Sequence, residues 1–328
     1  MVKLRGNLKR TVKVYNGYGH THDLVIYGHV FKKKTARRKY YSNNVLINTI
    51  HLLKLFFVTP VANVKLRLKW NDQLLYSESE SDGFFKFEWK SDEAVSAGWH
   101  GVEVGIVSTD GKIICTGEGK VFVPHVTQYA FISDIDDTVL VSHSATIGKR
   151  LRVLFTKNPR TRRSFDEIVK HYELLARAHT TGDVLNPFFY VSSSEWNLYD
   201  DLTDFFAYNG LPQGGFLLNQ VKRWFQLLKT GKTKHEGKLL RVIRILKTFP
   251  KQRFILFGDN TQSDPSIYAS VVKKYHENIH AVYIRNIKPE NEQVTREILS
   301  GIEKHNVYTC LFNNSNEAIM HSKTIGLI

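Results

Sequence analysis

Cysteine is almost absent from the chain. Two residues, Cys115 and Cys310, lie far apart in 328 positions. That is too few for a disulfide framework or a cysteine zinc site, so a reducing, cytoplasmic setting is expected. Long apolar runs are missing too. The longest, Val45 to Val58, is broken by His51 and Lys54 and followed by Pro60, which is too short and interrupted to span a bilayer. The basic start MVKLRGNLKRTVKVY leads into no apolar core of signal-peptide length, so secretion is not expected. There is no internal repeat, no low-complexity segment and no glycine-rich phosphate loop of the Rossmann or Walker kind.

Acidic residues are outnumbered, 31 Asp and Glu against 46 Lys and Arg, for a formal charge of +15. Such an excess favours polyanionic partners: nucleic acid, anionic lipid surfaces or phosphorylated substrates. It is concentrated in KKKTARRK (Lys32 to Lys39) and in the run from Lys149 to Arg163, which holds Arg150, Arg152 and Arg160 and no acid. A solvated loop is the plain reading of such runs.

What is present has two textures. Residues 1–127 read as a β-rich domain: DLVIYGHVF, VKLRLKW, GFFKFEWK, HGVEVGIV and KIICTGEGKVFV alternate or are β-branched and aromatic, and turn signals such as SDG and TDG separate them. A small sandwich-like fold is expected, with one inserted helix over about residues 45–57. That helix is apolar almost all round, which favours burial in a core over an interfacial position on a membrane. Residues 128–328 alternate strand and helix, the pattern of an α/β domain with a doubly wound parallel sheet flanked by helices. Ser164 and Glu167 fit a capping box ahead of the helix SFDEIVKHYELLARAH, and Asp264 with Pro265 fits a helix start.

The negative charge gathers in FISDIDDTVLVS, where Asp134, Asp136 and Asp137 follow an apolar strand. Asp134 and Asp136 are two apart and share a side of an extended chain, with Ile135 toward the core and Asp137 directed away. Paired carboxylates repel unless a cation sits between them. Two other strand ends carry chemistry: Ser192-Ser193-Ser194 after NPFFYV, and Gly258-Asp259, with Asp264 close behind. In open α/β sheets ligands collect at the carboxyl ends of the strands. Asp259 would complete an oxygen-ligand site suited to Mg²⁺. A carboxylate can attack phosphorus, a second can move the proton, and a hydroxyl and a lysine can hold the phosphoryl oxygens. A calcium loop of the EF-hand type is excluded, because Val139 and Ala145 stand where Gly and Glu are needed. Asp264 taken alone also suits an N-cap, and His20-Thr21-His22 is read as structural, with no partner ligands nearby.

D-x-D-x-T after an apolar strand, an apolar strand ending in Ser, a downstream Lys and G-D-x-x-x-x-D resemble the four motifs of haloacid dehalogenase (HAD) superfamily phosphatases. FISDIDDTV, FFYVSSSEWNLYDDLTDFF, ILFGDNTQSDPSIY and AVYIRNI resemble, more closely, the catalytic domain of the actin-patch phosphatidate phosphatase family, relatives of the lipins. YNGYG, VTPVANVKLRL, GWHGVEV and GEGKVFVP are similar to the N-terminal portion of its bacterial members. The resemblance implies a HAD-like fold and a Mg²⁺-dependent phosphatase converting phosphatidate to diacylglycerol and phosphate through an aspartyl-phosphate.

By that resemblance Asp134 is the nucleophile, Asp136 the general acid/base and Thr138 the residue that steadies Asp136. Ser192 binds phosphate, and Asp259 and Asp264 are metal-site acids alongside Asp134 and Asp136. Lys238, eleven residues before Phe249, is the phosphate-binding lysine, with Lys234 as the alternative. Glu195 departs from the family, which often has Pro there. The basic stretch becomes part of a small cap-like insertion, about residues 145–183, whose Arg150 and Arg152 are candidate substrate contacts at a membrane periphery, together with Ser193 after the strand NPFFYV. Two other readings remain: a phosphatase for a nucleic-acid end, phosphoprotein or soluble phosphomonoester, or a non-catalytic module for anionic lipid. The last is disfavoured by the intact Asp134 and Asp136.

Overall fold

The computed structural model describes residues 10–38, 40–141, 156–162, 164–223 and 234–328. Arg150, Arg152 and Lys232 lie outside the described residues. Two compact units are present. One holds Leu53–Val123 and the strands before Arg38; the other holds Arg38–Leu52, Pro124–Asn219 and the described chain from residue 234 onward. Among the described residues no helix is long and apolar enough to cross a membrane.

The first unit contains β1 (Thr11–Val14), β2 (Gly17–His20), β3 (Asp23–Phe31), β4 (Lys65–Trp70), β5 (Gln73–Glu78), β6 (Phe84–Lys90), β7 (Gly98–Val107) and β8 (Ile113–Val123). They form one sheet in the order β1-β3-β2-β8-β7-β4-β5, with β6 on β3. Pairing is antiparallel except between β2 and β8. The expected sandwich is therefore a single bonded sheet folded over its own core. The Ser77 hydroxyl of β5 donates to the Lys86 carbonyl of β6 at 3.0 Å. Alternation places Phe85, Phe87 and Trp89 of β6 inward with Leu24, Ile26, Leu66 and Leu68.

Among the described residues one imidazole sits in this unit's interior. His29 is buried, its Nδ1 shares a hydrogen bond with Tyr15 Oη at 3.0 Å, and its ring stacks on Phe31. Burial, helped by Lys13, pushes its pKa down to about 3. A folded pKa below the unfolded value of 6.5 gives stability that is present above pH 6.5 and lost as pH falls toward 3. Between pH 6.5 and 5 the loss from this group is about 2 kcal/mol. Urea unfolding of wild type and His29→Phe at both pH values checks it, and equal acid sensitivity of the two proteins would rule it out.

Helix α1 (Val45–Phe56) departs from the all-round burial expected of it. Asn48, Leu52, Leu55 and Phe56 are buried, whereas Leu46, Ile47 and Ile50 are exposed. Asn48 explains the orientation: its Nδ2 donates to the Ser42 and Thr156 carbonyls at 3.0 and 3.1 Å, and its Oδ1 accepts from Arg38 at 3.0 Å. A polar side chain is thus the inward anchor of the first turns.

The second unit is mixed α/β, with a six-stranded, wholly parallel sheet of β9 (Tyr129–Ser133), β10 (Phe188–Glu195), β11 (Gly214–Asn219), β12 (Arg253–Asp259), β13 (Ile279–Arg285) and β14 (Tyr308–Phe312). Its order is β11-β10-β9-β12-β13-β14. The strands are buried along nearly their whole length, hence their continuous apolar runs. Helices α2 (Ile168–Arg177), α3 (Tyr199–Tyr208), α4 (Lys234–Thr248), α5 (Asp264–Tyr275), α6 (Glu292–Glu303) and α7 (Ser315–Thr324) complete it. α4 packs on α5, α5 on α6, and α2 on α7. The chain leaves β9 for β10 and β11 on one side, then returns to the other side of β9 with β12. Strand order therefore reverses between β9 and β12, where open sheets bind ligands.

The capping box expected at Ser164 and Glu167 does not form. Glu167 occupies the N-cap of α2 in a left-handed conformation with no side-chain cap, and Ser164 bridges to Leu140. The backbone of Ser164 is spent on the loop after β9 instead.

Candidate active site

Asp134 follows directly on β9, and its N–H donates to the Phe257 carbonyl of β12 at 2.8 Å. The strand end is braced from the side: Ser133 Oγ donates to the Asp134 carbonyl at 2.6 Å and shares a hydrogen bond with Tyr172 Oη at 2.7 Å. One helical turn comes next, with the Val139 N–H on the Ile135 carbonyl at 3.0 Å. Asp137, in the middle of that turn, is in the left-handed region, φ 61°, with its N–H on the Leu140 carbonyl at 2.8 Å.

β12 brings Asp259 beside Asp134, and the turn into α5 brings Asp264. The three buried carboxylates lie close enough for one oxygen of each to fall within 4.8 Å of the others. Asp264 does not act as the N-cap of α5, a place held by Ser263. Its Oδ2 faces the Asp259 N–H at 3.4 Å, and its Oδ1 takes a hydrogen bond from Lys238. This close approach requires Gly258: a Cβ there would lie 2.6 Å from Asp264 Oδ2 and 2.9 Å from a ring carbon of Tyr268. Gly258→Ala is expected to cost about 1–3 kcal/mol through that overlap. Urea unfolding measures it, and a variant as stable as wild type would refute this packing.

Lys238, in α4, is buried and donates from Nζ to Asp134 Oδ1 at 2.7 Å as well as to Asp264. Burial disfavours its charge, yet Asp134 and Asp264 together hold its pKa above the ordinary value. Of the two candidate lysines the geometry brings in Lys238. The backbone of Lys234 opens α4, and its side chain is outside the described residues.

Asp136 is turned to a different set of partners. Its Oδ2 accepts from Ser192 Oγ at 2.9 Å and Ser194 Oγ at 2.7 Å, while the Ser194 N–H caps Ser192 Oγ at 2.8 Å. The carboxylate expected among the metal acids is therefore not in the group of three, because the β10 serines hold it. Thr138, expected to steady Asp136, has its hydroxyl 3.5 Å from Asp134 Oδ2. Ser193 is half-buried between the two serines, and Glu195, at the family departure, is buried.

Three positioning residues escaped the sequence reading. Arg241, three residues after Lys238 on α4, donates to the Ser192 carbonyl at 2.9 Å and Asn219 Oδ1 at 3.2 Å. Arg285, buried at the end of β13, donates to the Thr138 carbonyl at 3.2 Å and Ser315 Oγ at 2.9 Å, between the rings of Phe165 and Phe312. Asn260 accepts at Oδ1 from the Ile287 and Lys288 N–H groups, both at 2.8 Å, fixing the turn after Asp259. A signal did exist for Ser194, which shares strand phase with Ser192. A lone arginine ending the apolar run AVYIR was a weaker signal for Arg285.

The donor set suits a hard cation. Three buried carboxylates face one ammonium, and the excess negative charge is costly without a further positive charge. Burial first, then Asp264, raises the Asp259 pKa to about 7. Burial first raises Asp134 well above the carboxylate range, Lys238 opposes it, and Asp264, Asp259 and Asp136 add to it. Asp259 Oδ1 accepts from the Thr261 N–H and hydroxyl, while its buried Oδ2 has no hydrogen-bond partner. An unpaired, buried carboxylate oxygen beside two other carboxylates is what an oxygen-ligated divalent cation would take up. His20 and His22 form no such group: His20 lies 3.4 Å from Asp23, and His22 Nδ1 is bonded to the Ser91 carbonyl at 2.9 Å.

Comparison with known proteins bears on the same segment. The family described as "Phosphatidate phosphatase APP1, catalytic domain" matches residues 129–286. Phosphatidate phosphatase APP1 of Saccharomyces cerevisiae is 30% identical over 182 residues, covering 52% of this chain and 29% of that protein. An uncharacterised protein of Schizosaccharomyces pombe is 23% identical over 182 residues, covering 55% of this chain and again 29% of the relative. The chain thus spans under a third of the length of these two relatives. Among solved structures, a carbohydrate acetylesterase from Xanthomonas citri gives a TM-score of 0.30 at 10% identity, covering 90% of this chain and 65% of that one. That likeness is too low to carry an argument.

Proposed function

From the premise that residues 129–286 belong to the APP1 phosphatidate phosphatase catalytic-domain family, we propose that this protein is a phosphoric monoester hydrolase acting on phosphatidate. We read its second unit as HAD-like and doubly wound, and its cation as Mg²⁺. The observation that carries the proposal is the buried group Asp134, Asp259 and Asp264 with the Lys238 ammonium among them, at the strand-order reversal.

Asp134, Asp259 and Asp264 would hold the cation. When bound, it supplies positive charge to the phosphoryl oxygens as negative charge builds on them. In the proposed reaction Asp134 attacks phosphorus, and the ester P–O bond breaks. The leaving alkoxide takes a proton from Asp136, which releases diacylglycerol and leaves an aspartyl-phosphate. Asp136 then removes a proton from water as its oxygen attacks phosphorus, freeing phosphate and restoring Asp134. Ser192 and Ser194 aim the Asp136 carboxyl and keep it off the cation. Lys238 neutralises the phosphoryl oxygens, and the charge that returns to Asp134 as water hydrolyses the aspartyl-phosphate. We assign the protein to the cytoplasmic face of a membrane, where such a substrate resides.

The test is phosphate release, with Mg²⁺ or with chelator, from phosphatidate dispersed in detergent, nucleotide 5′- and 3′-phosphates and phosphopeptides. Release from phosphatidate that stops on chelation and returns with Mg²⁺ is the expected result. Preferential release from a nucleotide or peptide would overturn the lipid assignment, and release unaffected by chelator would overturn the cation.

A further inference from the structure

We propose that the outward face of α1 docks this protein on an anionic bilayer. The proposal rests on the phosphatidate reading, since a substrate embedded in a bilayer requires its enzyme to sit on one. At 100° per residue, Leu46, Ile47, Ile50 and Lys54 fall on one side of the helix. Asn48, Leu52 and Leu55 fall on the other and are buried. The outward residues are large and aliphatic, yet 66%, 49% and 44% exposed for Leu46, Ile47 and Ile50, and Tyr40 just upstream is 83% exposed. The Asn48 hydrogen bonds to Ser42, Thr156 and Arg38 fix this orientation, so the apolar stripe stays turned outward.

Charge selects the occupant. No Asp or Glu occurs between Asp23 and Asp72, whereas Lys32, Lys33, Lys34 and Arg37 are exposed in the segment leading to Tyr40. Lys54 joins them on the helix face itself. An exposed aliphatic stripe with Lys54 on its own helix, in a stretch of sequence without an acid, matches the acyl boundary of a bilayer beneath anionic headgroups. Nucleic acid would use the cations and leave the stripe in water. Arg38 is not part of this surface: its buried guanidinium lies 3.5 Å from Asp201.

The test uses the full chain and vesicles of phosphatidylcholine with phosphatidylserine, free of phosphatidate, so that docking is read without turnover. Wild type is expected to float with these vesicles at low salt and to detach as salt rises. The triple variant Leu46→Gln, Ile47→Gln, Ile50→Gln is expected to partition on the order of a hundredfold less. It should keep its unfolding midpoint and its rate on detergent-dispersed phosphatidate. Ile50→Trp should shift its emission to the blue on adding vesicles. Wild type that stays in solution, or a triple variant that floats equally well, overturns the proposal. So does a triple variant whose only change is from dimer to monomer in sedimentation, because a second copy would then cover the face. If dispersed phosphatidate is not hydrolysed at all, the enzymatic reading fails while the flotation result stands separately.

Discussion

Asp134→Asn is expected to lower phosphate release on the order of 10⁴-fold or more while leaving the protein folded. Loss of turnover follows if the Asp134 carboxylate forms the bond to phosphorus, because an amide is a poor nucleophile and cannot form the acyl phosphate. Retained folding follows from the site itself. Burial already pushes the Asp134 pKa far up, so a neutral side chain of the same shape relieves an electrostatic load. The Asn carbonyl oxygen can still accept from Lys238, which keeps its second partner, Asp264. Stability should stay within about 1 kcal/mol of wild type or rise. Turnover close to wild type in a folded variant would show that the nucleophile is elsewhere.

Lys238→Met is the substitution expected to damage both stability and chemistry. The buried ammonium is shared by Asp134 and Asp264, and removing it leaves buried carboxylates uncompensated, a loss of about 3–5 kcal/mol. Turnover should fall about 10²–10³-fold as the charge facing the phosphoryl oxygens disappears. The sign with pH is defined. Without Lys238 the Asp134 pKa in the folded state rises further above its unfolded value, so protons favour the folded form and the deficit shrinks as pH falls. Adding Asp264→Asn should recover about 1–3 kcal/mol, because the second uncompensated charge is removed. Urea unfolding of the two variants and wild type at pH 7 and 5 measures the stability loss, its pH trend and the recovery, and phosphate release measures the turnover. A Lys238→Met protein as stable as wild type would mean that the three groups are not packed together in solution.

The second unit was legible because parallel strands buried on both faces are written as short apolar runs, and three of those runs lead into a residue of obvious chemistry: Asp134, Ser192 and Asp259. Lys238 was identifiable only through resemblance, since three lysines lie within seven residues and helical spacing alone does not choose among them. The Asp136 side chain was misplaced for a simple reason. Strand alternation puts it on the same side as Asp134, but β9 ends at Ser133 and the chain turns immediately, carrying Asp136 to the β10 serines. In the first unit the alternating strands were plain, but their closure into one sheet depends on β2 pairing parallel with β8, about a hundred residues away in sequence. No local pattern encodes that. The elements after β13 went unread: α6 and α7 are mostly polar and β14 is short. The outward face of α1 was hidden because an apolar residue in sequence looks the same whether it faces a core or the surface.

The link between Lys238 and Asp134 also sets an order of events during synthesis. The two residues are 104 positions apart, so at typical elongation speeds the ammonium emerges roughly 5–20 s after the carboxylate it balances. Asp259 and Asp264 emerge later still. Through that interval β9 can pair with β10, but its charged end lacks the buried ammonium that balances it in the folded protein. The Asp134 end of β9 is therefore completed only after α4 and β12 have emerged. A ribosome paused before α4 would hold a nascent chain whose central strand remains open to water at a point that is buried in the finished protein.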